Sequence, residues 1–206
     1  MTTRLIPIVA VAVLLAAGCS SDSASEDAAD PSTTPARKEW PAPVIDGSTY
    51  EVPDDLSDAA PGDVLAAEEL PPVDRLAGAT RHRVLYASED RDGRTVPVSG
   101  VVLVPDGTPP EGGWPVVSWG HGTTGVADAC APSLTDNLFY NEYAQEASTM
   151  LDAGYAVVAT DYPGLGTPGM HSYLVGVDEG NAMVDMVTAA RQVEPDLSTT
   201  WFAVGH

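Results

Sequence analysis

Basic side chains and cysteines are scarce in this sequence. Nine lysines and arginines stand against thirty aspartates and glutamates, which gives the 206-residue chain a formal net charge of −21. Such a charge repels nucleic-acid phosphates and argues against nucleic-acid binding. The two cysteines, at positions 19 and 130, form no Cys/His spacing typical of a zinc site, and the metalloprotease motif H-E-x-x-H is absent. We therefore predict neither a metal nor another cofactor.

The first nineteen residues have the pattern of an export signal. Arg4 precedes an apolar stretch that is too short for an ordinary membrane span, and small residues precede Cys19. The sequence Ala-Ala-Gly-Cys at 16–19 is similar to the lipobox, in which the chain is cut before a cysteine that becomes diacylated. We predict a lipoprotein signal peptide at residues 1–18 and a lipid anchor at Cys19 on the extracellular face of the membrane. A plain signal peptide and a secreted protein are the alternative.

The region after the signal divides into a tether and a folded domain. Residues 19–47 are rich in Ser, Asp, Ala and Pro and low in apolar bulk, so they bury too little surface to fold and we interpret them as a flexible tether. The chain as a whole is 44% hydrophobic, which suffices for one domain with a sizeable core. We place that domain at residues 48–206. No oligomeric state is predicted.

Secondary-structure signals in the domain alternate after an initial hairpin. Residues 81–105 alternate apolar and polar side chains on both sides of Asp92-Gly93, which predicts two antiparallel strands. The preceding segment "PGDVLAAEELPP" predicts a loop or short helix at the domain edge. Farther on, "PVVSW", "YAVVAT" and "TTWFAV" predict three strands separated by helices. This order indicates an α/β fold with a mostly parallel sheet, in which ligands bind at the carboxyl ends of the strands.

Three loops follow these carboxyl ends: "GHGTTG", "DYPGLGTPG" and the final "GH". In α/β-hydrolases the third such position carries the nucleophile elbow G-x-S-x-G, and an earlier loop that often begins His-Gly supplies an oxyanion donor. Gly205 and His206 would be the first two residues of that elbow. Ser118 lies inside a predicted strand, and Val116 stands where an elbow needs its first glycine, so we interpret the Ser118 hydroxyl as facing the sheet.

The segments "SWGHGTTGVADACAPS", "DYPGLGTPGMHSYLVG" and "VGH" resemble the bacterial and fungal secretory lipases, which are serine ester hydrolases of the α/β-hydrolase fold. The likeness is specific from Ser118 to His206 and weaker from Pro61, and it covers the amino-terminal half of the family's domain. It implies that the substrate is a triacylglycerol or another ester, cleaved by serine acyl transfer. The family's serine, acid, histidine and cap follow this half, so we expect a chain that is truncated at the elbow and inactive by itself.

The resemblance implies roles for two loops. His121, Gly122 and Thr123 match the oxyanion loop, where a backbone N–H near Gly122 or Thr123 would stabilise the tetrahedral intermediate. The alternative is that the two glycines of this loop only allow the chain to turn tightly after a strand. The second loop would form the pocket wall and its support, and Asp161 could bond N–H groups of the elbow. The residues of this loop that match the family are Asp161, Tyr162, Gly164, Leu165 and Gly166.

Cys130 and the glycine-rich second loop leave further interpretations open. Cys130 matches a family cysteine whose disulfide partner lies farther along the chain, so it is expected here as an unpaired thiol. The segment "GLGTPG" fits the dinucleotide motif G-x-G-x-x-G, but that motif requires an immediate helix, and the pattern after it is broken at Gly176. A non-catalytic extracellular binding module on a hydrolase scaffold is the other alternative, because a fold alone does not fix activity.

Overall fold

One mixed sheet with a helix on each face forms the described part of the chain. The structure is a computed structural model that describes residues 51–136, 138 and 141–206, so the predicted signal peptide and tether lie outside the described residues. The elements are β1 (Val64–Leu70), β2 (Ala79–Glu89), β3 (Thr95–Pro105), β4 (Trp114–Gly120), α1 (Asn141–Asp152), β5 (Ala156–Thr160), α2 (Gly176–Val193) and β6 (Leu197–Gly205).

The sheet has the strand order β1-β2-β3-β5-β4-β6. The pairs β1/β2, β2/β3 and β3/β5 are antiparallel, whereas β4 pairs in parallel with both β5 and β6. Strands β2, β4, β5 and β6 consequently point in the same direction. Helices α1 and α2 supply the crossovers that parallel strands require. The predicted α/β architecture with an amino-terminal antiparallel hairpin is confirmed.

Strand β1 corrects the prediction of a loop or short helix at the domain edge. Its alanines and glutamates favour a helix by intrinsic propensity. In the structure, Val64–Leu70 instead pairs with β2, and Arg83 Nη1 donates a hydrogen bond of 3.0 Å to Glu68 Oε1 across that pair. Pairing with a neighbouring strand therefore outweighs the local preference of these residues.

Successive side chains of each central strand enter two separate cores. In β3, Val102 and Val104 pack on the side of α2, and Val101 and Leu103 pack on the side of α1. This alternation follows from the two-residue period of a strand. Because both faces are buried, the central strands read as continuous apolar runs, and the sheet is held rigidly beneath the loops at its carboxyl edge.

The two helices end where the sequence predicts. Gly154, with φ +84°, terminates α1, and the Tyr155 N–H donates to Met150 O at 3.0 Å in a reversal typical of helix ends. Helix α2 ends at Val193, two residues before Pro195. Within the described ranges, neither helix combines the length and the apolar character that crossing a membrane requires.

Candidate active site

The three predicted loops meet at one cavity of about 510 Å³. That volume falls within the range of roughly 300–1,000 Å³ that ligand pockets occupy. The cavity is lined by Gly120, His121, Gly122, Thr123, Thr124, Tyr143, Tyr162, His171, Tyr173, Leu174, Glu179, Met183, Gly205 and His206. Residues from the ends of β4, β5 and β6 are thus brought together, as the parallel arrangement of those strands requires.

The end of β6 lies directly against the loop after β4. Gly205 is in register with Gly120, and the His206 N–H donates a hydrogen bond of 3.0 Å to Gly120 O. A Cβ atom added to Gly122 would lie only 2.5 Å from His206 Nδ1. The predicted oxyanion loop and the predicted start of the elbow are therefore neighbours, and glycine at position 122 permits their close approach.

The His121 side chain connects two loops of the site. Its ring is buried; Nδ1 lies 2.6 Å from Gly122 O, and Nε2 lies 3.2 Å from Asp161 O. The ring also packs on Tyr162, with the two ring centroids 4.5 Å apart. Because both ring nitrogens face backbone carbonyl oxygens, His121 braces the loops and presents neither nitrogen to the cavity as a free base.

Two tyrosine hydroxyls reach the predicted oxyanion loop. Tyr162 has the left-handed φ of +71°, and its hydroxyl donates to His121 O at 3.2 Å. Burial raises the pKa of Tyr162 well above its ordinary value, and the negative charge of Glu179 raises it further. Tyr143 on α1 accepts a hydrogen bond of 3.1 Å from the Gly122 N–H. Helical spacing explains why the Tyr143 ring is buried, but it carries no signal for this contact.

Asp161 supports the candidate site from below through hydrogen bonds to two serines. Its Oδ2 accepts hydrogen bonds from both the Ser133 hydroxyl and, at 2.7 Å, the Ser99 hydroxyl, and its Oδ1 accepts the Ser133 N–H at 2.9 Å. Burial raises the pKa of Asp161, and the hydrogen bonds from Ser133 and Ser99 oppose that rise. The carboxylate therefore links β3, the end of β5 and the loop before α1.

The glycines of the second loop shape its turns. Gly164 and Gly166 have φ values of +76° and +70°, a region that favours glycine. Gly164 also lines a second cavity of about 600 Å³, which shares His171 and Tyr173 with the first. Helix α2 begins only at Gly176, well beyond Gly169, so the immediate helix that a dinucleotide motif needs is not formed here.

Replacing Gly164 by alanine is expected to destabilise the fold. A Cβ atom there would lie 2.5 Å from the backbone N of His171 in addition to occupying a left-handed backbone position. We expect a loss of about 2–4 kcal/mol in the free energy of unfolding, measured by urea denaturation. Gly154→Ala is the matched control, because that glycine has φ +84° but no atom within 4 Å of its added Cβ. Equal losses in the two variants would contradict the close approach at Gly164.

Two other predicted features lie beside the site. Cys130 is a free thiol in the described part of the chain, and a Cβ atom added to Gly125 would clash with its Sγ. Ser118 lies within β4, as predicted, and its hydroxyl donates to Met183 O of α2 at 2.8 Å. Among the described residues, no three His, Cys, Asp or Glu side chains are grouped so that they could hold a metal ion.

Comparison with known proteins identifies structural relatives. No protein-family model matches the chain, and no curated protein matches it. The rice cell wall degrading esterase LipA from Xanthomonas oryzae matches with 25% identity and a TM-score of 0.59, over 71% of this chain and 42% of LipA. Lipase A of Candida antarctica in its closed state matches with 19% identity and a TM-score of 0.64, over 81% of this chain and 40% of the lipase.

These matches show an α/β-hydrolase fold. The two solved structures are those of an esterase and a lipase, and they align with 71% and 81% of this chain, respectively. The chain spans about two fifths of the length of each of them.

Proposed function

We propose that this chain forms the amino-terminal part of an exported serine ester hydrolase of the secretory lipase type. The observation that carries the proposal is the contact between the loop at Gly122 and the end of β6 at His206. An acyl-transfer site needs its oxyanion donors and its nucleophile within reach of the same carbonyl group. The esterase and lipase among the structural neighbours support this chemistry.

In the proposed reaction, a serine directly after His206 attacks the ester carbonyl carbon. The carbonyl π electrons move onto the oxygen, which a backbone N–H of the loop from His121 to Thr123 stabilises. Collapse of the intermediate breaks the ester C–O bond and expels the alcohol, which takes the proton that a histidine removed from the serine. Water then attacks the acyl-serine by the same route, so that the carboxylic acid leaves and the serine is regenerated. One such donor typically contributes about 100- to 1,000-fold in rate. The histidine that takes the serine proton and the acid that orients it would come from sequence beyond residue 206. Asp161 and Tyr162 support the loop from His121 to Thr123, and Gly164 and Gly166 shape the loop that follows β5.

Export and anchoring are part of the same proposal. The apolar segment before Cys19 and the lipobox-like residues 16–19 support transfer across the membrane and attachment through a lipid. Residues 19–47 would then act as the spacer between the anchor and the hydrolase domain. The substrate would be a triacylglycerol or another carboxylic ester outside the cell.

The coding sequence after His206 tests the proposal first. We expect Ser-x-Gly next, followed later by an aspartate and a histidine. The 206-residue chain should neither hydrolyse p-nitrophenyl butyrate nor react with a serine-directed phosphonate, whereas the protein extended through the later residues should do both. The extended protein with its elbow serine changed to alanine is the control. Labelling of the 206-residue chain, or a residue other than serine in the elbow, would contradict the proposal, and the latter would favour a binding module.

A further inference from the structure

We infer that Tyr143 and Tyr162 are positioning residues that fix the peptide group between His121 and Gly122, and that the Thr123 N–H is consequently the oxyanion donor. This inference rests on the proposed function and names the atom that function needs. It assigns a role to two phenols, of which Tyr143 is contributed by a helix outside the predicted catalytic loops.

The two tyrosines hold opposite ends of one peptide group. The Tyr162 hydroxyl donates to the His121 carbonyl oxygen at 3.2 Å, and the Tyr143 hydroxyl accepts the Gly122 N–H at 3.1 Å. Because a peptide group is planar, fixing its C=O and its N–H at once fixes the orientation of the whole plane. The Gly122 N–H is thereby committed to Tyr143 and is not the donor available to a substrate.

The next peptide group is oriented by the His121 ring. The Gly122 carbonyl oxygen lies 2.6 Å from His121 Nδ1 and so points towards the imidazole. In a trans peptide the N–H points opposite to the C=O, so the Thr123 N–H points away from that ring. Thr123 lines the cavity, and its N–H has no acceptor among the residues that the structure describes. A backbone donor is therefore left for a ligand oxygen at this position.

The surroundings of both phenols keep them in place. Tyr143 is 7% exposed and packs edge-on against Trp119 and His206, with ring centroids 6.0 and 6.1 Å apart. Tyr162 is equally buried, and its N–H donates to Thr160 Oγ1 at 3.1 Å. Burial raises the pKa of Tyr162, so its hydroxyl keeps the proton that it donates to His121 O. Rigid support of this kind is what an oxyanion site requires, because its donors must be aligned before reaction.

Amide hydrogen exchange in the 206-residue chain tests the positioning role without any need for activity. Tyr143→Phe removes the acceptor of the Gly122 N–H, so we expect exchange at Gly122 to become about 3- to 10-fold faster. Tyr155→Phe is the matched control, since it removes a phenolic oxygen outside the cavity. In the unmodified chain, the Thr123 amide should exchange faster than that of Gly122. Unchanged exchange at Gly122 within twofold, equal acceleration in Tyr155→Phe, or a slowly exchanging Thr123 amide would each overturn the inference.

Kinetics of the extended protein supply the second readout. Tyr143→Phe should lower kcat by about 10- to 100-fold and leave KM within twofold, because misplacing a transition-state donor does not weaken ground-state binding. Tyr155→Phe should leave both constants within twofold. A kcat within twofold of that of the unmodified enzyme in Tyr143→Phe would overturn the inference. An unmodified extended protein without esterase activity would instead contradict the proposed function, and Gly122 exchange would still decide whether Tyr143 fixes the loop.

Discussion

Replacing Asp161 by alanine is expected to lower the free energy of unfolding by about 3–5 kcal/mol. The change removes the acceptor of three hydrogen bonds, two from Ser133 and one from Ser99. Asp161 is 1% exposed and Ser99 is fully buried, so water cannot replace the lost carboxylate at little cost. The carboxylate joins three separated segments, and its loss should loosen the base of the candidate site.

Asp161→Asn is the informative comparison. The asparagine carbonyl oxygen can accept the Ser133 N–H, and its NH₂ group can donate to the serine hydroxyl oxygens, whose protons rotate. Asparagine also removes the cost of burying a charge. We therefore expect Asp161→Asn to destabilise by no more than about 1.5 kcal/mol. Urea unfolding of the three proteins measures both values, and equal losses in the two variants would show that charge, and not hydrogen bonding, is what the position requires.

The difference in stability between the unmodified protein and Asp161→Asn should change with pH in a definite direction. Burial raises the pKa of Asp161 in the folded state, so the folded protein binds this proton more tightly than the unfolded chain does. The stability that this proton contributes is fully present below the ordinary carboxyl pKa and is lost as pH rises through the raised folded-state pKa. The unmodified protein should therefore gain stability relative to Asp161→Asn as pH falls through that window. A gain in the opposite direction would mean that hydrogen bonds outweigh burial and lower this pKa.

The strands and loops of the site were predictable because they depend on local patterns. The Asp92-Gly93 turn flanked by alternating residues predicted the hairpin, and Gly154 predicted the end of α1. Once three strands were recognised as parallel, their carboxyl ends had to meet at one edge of the sheet. The meeting of Gly122 with His206 follows from that topology.

The contacts that organise the site were not predictable because they join residues distant in sequence. Asp161 lies 62 residues from Ser99 and 28 from Ser133, and Tyr143 lies 21 residues from Gly122. No short-range pattern records which hydroxyl faces which carboxylate or amide. The prediction for β1 was wrong for a related reason. Its alanines and glutamates favour a helix, but pairing with the edge of β2, which is distant in sequence, determines its conformation.

Replacing Gly122 by alanine in the extended protein is expected to lower kcat by at least about 100-fold. The added Cβ would lie 2.5 Å from His206 Nδ1 and 3.2 Å from the Tyr143 hydroxyl, so the loop, the His206 ring or both must move. Crowding of the Tyr143 hydroxyl, which accepts the Gly122 N–H, should displace the loop and so separate the proposed oxyanion donor from the proposed nucleophile after His206. A displacement of about 1 Å suffices for a loss of this size, because the catalytic benefit of a positioned donor depends on alignment.

Gly180→Ala is the matched control for this experiment. It adds the same methyl group on α2, at a position where no atom lies within 4 Å of the added Cβ. It should leave kcat and KM within twofold, measured with p-nitrophenyl butyrate. The thermal midpoint separates inactivation from unfolding: the atoms nearest to the added Cβ belong to the side chains of His206 and Tyr143 and not to backbone, so Gly122→Ala should keep a thermal midpoint close to that of the unmodified protein. A kcat within threefold of that of the unmodified enzyme would show that the close approach of Gly122 to His206 is not required for catalysis.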